Sequence, residues 1–332
     1  MKKRILAVLI ATALAVSVTG CAGNATSSSD STSASSVAES SDTSTQTSAD
    51  ASSEDESKDE SSQEESKDLE ANYTKYTLDG DLTQHMIDMS RLNEGNKVRL
   101  ANVIKKLKNG EEVTVGFIGG SITQGTSAGN DLCYAKLTAD WLQKTYSNAK
   151  INYVNAGIGA TGSYIGVHRV ANDLLSKNPD LVFVEFSVND TTENTERNKK
   201  SYDGLLRTIW KSSTNPAIIT IATTQEDGTS FQDQHAEIVK HYDLPMISYR
   251  NTILDTIKHG DIVWKDISDD NIHPNVPGHK IVSQLLQAYI SDVDKDVDNI
   301  SGSESDFTTP ATDAPIENGS LIQPSSATDA VS

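Results

Sequence analysis

The sequence predicts an α/β fold, a three-layer α/β/α sandwich on a five-stranded parallel sheet, occupying the middle of a 332-residue chain. Three observations predict it. Short β-branched runs alternate with longer stretches of helical spacing, the signature of strand and helix in turn. The runs are apolar on both faces, as strands covered from two sides must be. Both chain ends are acidic and rich in Ser and Thr, which leaves residues 72–291 as the segment able to form a core.

The elements follow in order. A helix over residues 98–107 carries apolar residues at three- and four-residue steps and stops at Asn109-Gly110, a pair that readily ends helices. VTVGFI at 113–118 is the first strand. Leu132, Ala135, Leu137, Trp141 and Leu142 then mark one helix face, and INYVN at 151–155 the second strand. Val167, Val170, Ala171, Leu174 and Leu175 mark the next helix. LVFVEF at 181–186, AIITIA at 217–222 and PMIS at 245–248 complete the sheet, and a helix over 276–290 closes the domain.

Outside this segment, residues 1–20 join a basic start (Lys2, Lys3, Arg4) to an apolar run over 5–18, too short to span a bilayer and fitting an export signal. The string Val18-Thr19-Gly20-Cys21 resembles a bacterial lipobox, so Cys21 is the expected lipidation site and the chain is expected on the extracytoplasmic face of a membrane. Residues 21–71 read as a disordered acidic stalk and 292–332 as a disordered acidic tail. Of the net charge of −19, the stalk holds −11 and the tail −8; with +3 on the signal, about −3 is left to the folded segment. Acidic ends argue against nucleic acid as a partner. Cys133 has no intramolecular disulfide partner once Cys21 is acylated. It reads as a buried small residue rather than a nucleophile.

The first strand ends in FIGGSITQGTSAG, which puts Ser121 at its carboxyl edge behind Gly119 and Gly120. In a parallel α/β sheet ligands gather at that edge. Glycines let backbone N–H groups come close to a ligand, so Ser121 can act as a nucleophile with its own N–H facing a developing oxyanion. A phosphate cradle is the alternative, but neither G-x-x-x-x-G-K-[ST] nor G-x-G-x-x-G occurs here. A serine hydroxyl needs a base, and the base needs a group that fixes its tautomer. DDNIHPNVPGH, at 269–279, supplies His273 with Asp270 three residues before it, in a loop stiffened by Pro274 and Pro277. The other histidines have no comparable context.

The order of these blocks resembles the SGNH, or GDSL-type, hydrolase family. The resemblance rests on Ser121 in GGSITQG, Gly157 in NAGIGATGS, Asn189 in EFSVND and His273 in DNIHPN, and covers nearly all of 113–287. It implies a flavodoxin-like sandwich, a Ser121–His273–Asp270 catalytic set, and an oxyanion hole of the Ser121 and Gly157 N–H groups with the Asn189 side chain. Gly157 and Asn189 follow the second and third strands, so they reach the same edge as Ser121. Read on their own, Gly157 could be a turn glycine and Asn189 a helix cap before a segment beginning near Thr191. One departure is Gly120, where the family often has Asp.

The resemblance implies an ester hydrolase without cofactor. No His and carboxylate cluster appears at ligand spacing along the sequence, so no metal is expected. Surface anchoring and the lack of an apolar lid point to a short acyl group, acetyl above all, on an extracellular carbohydrate. An O-acyltransferase acting on a cell-surface glycan and a non-catalytic glycan-binding module are the rival readings. Trp264, Tyr164 and Trp210 are candidates for a sugar site or the core, and 225–234 for a wall of the cleft. Glu185 lies inside a strand, where it either needs a buried partner or points into the cleft.

Overall fold

The computed structural model describes residues 73–191 and 194–320. The export signal, Cys21 and the stalk lie outside these residues. In chain order the described elements are α1 (Gln84–Ser90), β1 (Arg91–Asn93), α2 (Val98–Lys108), β2 (Glu112–Gly119), α3 (Ser121–Gln124), α4 (Tyr134–Thr145) and β3 (Lys150–Gly157). They continue through α5 (Ser163–Asp173), β4 (Leu181–Glu185), α6 (Thr195–Trp210), β5 (Ala217–Ala222), α7 (Gln232–His241) and β6 (Met246–Ser248). The last are α8 (Tyr249–Lys258), α9 (Trp264–Ile267) and α10 (Val276–Lys295).

The sheet runs β1-β6-β5-β4-β2-β3. The five strands from β6 to β3 are parallel and match the predicted strands, in the doubly wound order whose switch point falls beside β2. The sixth strand is new: Arg91–Asn93 pairs antiparallel with β6 at the edge, and three residues are too few to show a period. Alternate residues of each central strand enter opposite cores. Val115 and Phe117 of β2, with Phe183 of β4 and Ile219 of β5, pack under α2, α4 and α10. Ile118, Val182, Val184 and Ile218 pack under α5, α6 and α7.

The expected disordered tail is corrected over 292–320. Helix α10 runs on to Lys295, and the following chain crosses α6. Phe307 stacks between Trp210 (4.5 Å) and Tyr242 (3.9 Å) and is 6% exposed. Glu317 pairs with Arg207 and Lys211, and Ile316 N–H donates to the Lys200 carbonyl at 3.0 Å. An acidic composition hid one aromatic anchor and one well-placed carboxylate. Burying a Phe side chain is worth about 1.5–3 kcal/mol, enough to hold a short segment down. Among the described residues no helix is long and apolar enough to cross a membrane.

Candidate active site

Residues at the carboxyl edge of β2, β3 and β4 build the site, because parallel strands deliver their ends to one rim. In-register pairing puts Gly119 beside Gly157 on one side and Glu185 on the other. The chain leaves β2 through Gly120 and turns at once into α3, with Ser121 as its first residue. Gly120 has no room for a side chain: an added Cβ would lie 1.9 Å from Asn189 Oδ1. The residue where the family often has Asp is thus the one against which Asn189 rests.

Ser121 Oγ lies 2.9 Å from His273 Nε2, and His273 Nδ1 lies 2.7 Å from Asp270 Oδ2. The three predicted residues form one hydrogen-bonded line. Asp270 Oδ1 accepts from the Ile272 and His273 N–H groups at 2.7 and 2.6 Å, so the carboxylate is fixed at both oxygens. Burial pushes the Asp270 pKa up, but these donors and the His273 ring outweigh it and hold the carboxyl below its ordinary value. The loop itself is stapled from beneath. Ser268 Oγ sits 2.8 Å from the Asp270 carbonyl and 2.6 Å from that of His273, and Trp264 Nε1–H donates to the Asp270 carbonyl at 2.6 Å. Asn275 caps α10 by accepting from the Gly278 N–H.

His279, one turn into α10, is fully buried and accepts from the Tyr134 N–H at 3.1 Å. Burial drives its pKa down to about 4, so it brings no second positive charge near His273.

Asn189 opens a short 3₁₀ turn after β4, and it is Asn194 that caps α6, accepting from the Arg197 N–H. The turn is anchored by its neighbour. Asp190 is buried; its Oδ1 accepts from the Ser163 N–H at 2.8 Å and its Oδ2 lies 2.9 Å from His235 Nε2. Tyr202 stacks on His235 at 3.6 Å. Sequence reasoning missed this pair, whose members stand 45 residues apart.

Gly157 is corrected in its role. It lies against the Ser121 turn, where an added Cβ would come 2.3 Å from the Gln124 nitrogen, but its N–H donates to Asn155 Oδ1 at 2.8 Å. That bond turns the N–H away from the oxyanion duty expected of it. Its lack of a side chain is what the site uses, since it lets α3 approach β3. Asn155 completes the join by donating to the Thr123 carbonyl at 2.8 Å.

Two buried charges underlie the rim. Arg169 of α5 donates to the carbonyls of Ala156 and Gly119 (2.9 Å for Gly119) and pairs with Asp173, so one guanidinium holds the ends of β2 and β3 together. Glu185 is wholly buried; its Oε1 accepts from Thr223 (2.7 Å) and Ser187 (3.3 Å). Burial pushes its pKa up to about 7, against the pull of those two hydroxyls. Of the aromatic candidates, Trp264 and Trp210 are core, while Tyr164 is half-buried with Arg197 over its ring at 4.6 Å. Segment 225–234 does reach the catalytic loop: the Glu226 N–H donates to the Asn271 carbonyl at 2.9 Å. Gln225, Glu226, Asp227 and Asn271 line a polar cleft of about 230 Å³ there.

Residues 117–281 match the GDSL-like lipase/acylhydrolase family. The domain belongs to that family. Among solved structures this GDSL-like domain is similar to a two-domain esterase active on acetylated mannans, at 38% identity over 68% of this chain and 61% of that one, TM-score 0.65. The same esterase co-crystallised with mannopentaose gives 38% identity and TM-score 0.63, over 68% of this chain and 60% of that one. The chain therefore spans about three fifths of that neighbour's length. An acetylxylan esterase from Geobacillus stearothermophilus matches at 20% identity, over 54% of this chain and 94% of its own, TM-score 0.46. A comparison with curated proteins found no match.

Proposed function

We propose that the domain is a serine esterase that removes acetyl groups from a carbohydrate, with an acetylated mannan as the leading substrate. The observation that carries this is the Ser121–His273–Asp270 line, at 2.9 and 2.7 Å. Ser121 Oγ attacks the acetyl carbonyl while His273 Nε2 takes its proton, and Asp270 steadies the imidazolium. The Ser121 N–H and the Asn189 side chain receive the oxyanion, each donor worth about 100- to 1000-fold in rate. The sugar oxygen leaves with the proton from His273, and water then releases acetate from Ser121 by the same route in reverse. The polar cleft at Asn271 supports a glycosyl rather than a lipid chain beyond the ester. The acetylated-mannan activity of the neighbour at 38% identity supports the same substrate class.

The basic leader and Cys21 support an exported chain held at a membrane by lipid, with the acidic stalk extending the domain from the surface. Incubating the chain with acetylated glucomannan tests the reading. Free acetate should appear with the native protein and be lost with Ser121→Ala. Cleavage of long-chain acyl esters without acetate release would refute the substrate assignment, and undiminished acetate release by Ser121→Ala would refute the mechanism.

A further inference from the structure

Folding creates a cluster that the sequence does not show, because His85 lies 170 residues before Asp255. His85 of α1 and Asp255 of α8 meet at 2.6 Å, Nε2 to Oδ2, and His259 brings its Nδ1 to 3.2 Å of the same oxygen. The three ligand atoms all lie within 4.8 Å of one another. Asp255 and His259 are spaced i,i+4, which stacks them on one face of the α8 end. The two helices are packed together, and Thr252 Oγ1 donates to the Met86 carbonyl at 3.1 Å.

The surroundings shield the cluster and restrict the rings. The side chains of His85, Asp255 and His259 are 4%, 12% and 16% exposed. Tyr73 stacks on His259 at 4.2 Å and meets His85 edge-on at 5.4 Å. A second carboxylate, Asp261, accepts from the Tyr73 hydroxyl and from the Tyr76 N–H at 2.7 Å. Two imidazole nitrogens therefore converge on one carboxylate oxygen beside a further negative charge.

We propose that His85, Asp255 and His259 bind a divalent transition-metal ion, zinc or one of similar preference, which clips α1 to the end of α8. Two imidazoles and a carboxylate are a donor set such ions favour, with water in the fourth position. At bonds of about 2.0–2.1 Å, tetrahedral ligand atoms stand about 3.4 Å apart. His259 is already near that spacing from Asp255, and His85 reaches it by a small ring shift. His85 offers Nε2 by carrying its proton on Nδ1; His259 Nδ1, which also lies 3.0 Å from the Asp255 carbonyl, gives up that contact to the ion as its proton moves to Nε2. Five residues past His259, at Trp264, the chain enters the segment that leads to Asp270 and His273, so the ion steadies the approach to the catalytic loop without touching it.

The test uses the full chain stripped with EDTA and titrated with zinc or cobalt(II) alone. The expected result is one bound ion, a melting temperature raised by about 5 °C at saturating zinc, and a visible cobalt absorption of tetrahedral strength. Asp255→Asn and His259→Gln should each remove all three signals, with acetate release unchanged. Cobalt absorption and calorimetry on the native chain keep the test valid if a variant fails to fold. No ion bound to the native chain, or the same binding in both variants, would overturn the proposal and leave a hydrogen-bonded His–Asp–His cluster only.

Discussion

Two histidine–aspartate pairs of nearly the same length sit at the same end of the sheet, and they are built for opposite ends. His273–Asp270 measures 2.7 Å with side chains 21% and 47% exposed; His235–Asp190 measures 2.9 Å with side chains 0% and 1% exposed. The first rides on a loop and aims its outer nitrogen at Ser121. The second is sealed beneath Tyr202 and aims at nothing that a substrate could reach. A pair of residue types therefore does not define a role; access does. The buried pair still serves the site, because Asp190 is joined to Asn189 by one peptide bond and fixes the turn that presents it.

The sharpest way to break this comparison is to spoil one pair at a time. Asp270→Asn keeps the shape of the loop but loses the carboxylate that selects the His273 tautomer, and kcat for acetate release should fall by about 10⁴-fold with little change in melting temperature. His235→Ala should do the reverse. It leaves Asp190 buried and unpaired, so chemical denaturation should show about 3–5 kcal/mol less stability, while kcat measured well below the transition falls less than tenfold. If His235→Ala cost as much rate as Asp270→Asn, the division of roles would be wrong.

Glu185 sharpens the point with a smaller, pH-dependent effect. Its pKa is raised to about 7 in the folded protein, against about 4.3 when unfolded. Between those values the folded state binds the extra proton, so this group favours folding at low pH and that contribution is lost as pH rises toward 7. Glu185→Gln should therefore flatten the stability profile between pH 4 and 7 by about 3 kcal/mol, read from denaturation midpoints. An unchanged slope would mean that Glu185 stays ionised throughout.

The catalytic line was legible in the sequence because each part is local: a glycine turn after a strand fixes Ser121, and a three-residue spacing with flanking prolines fixes Asp270 and His273. The five parallel strands were legible because burial on both faces leaves an unbroken apolar run. What was hidden depends on long-range contact. His235 and His85 each have acidic residues close by in sequence, yet folding pairs them instead with Asp190 and Asp255, 45 and 170 residues away. Gly157 shows a subtler loss, since sequence can say that a glycine is needed but not whether its N–H or its missing side chain is the reason. The three-residue β1 and the packed part of the tail escaped because their composition resembles that of loops.

Phe307 has a practical bearing on where this domain ends. A protein trimmed after residue 291 would lose the last turn of α10 and uncover the faces of Trp210 and Tyr242 that Phe307 now covers. Bare aromatic faces on a domain surface invite self-association. The stretch that composition marks as a spacer is, as far as residue 320, a built-in shield against aggregation, and a recombinant boundary drawn from the catalytic motifs alone would cut it away.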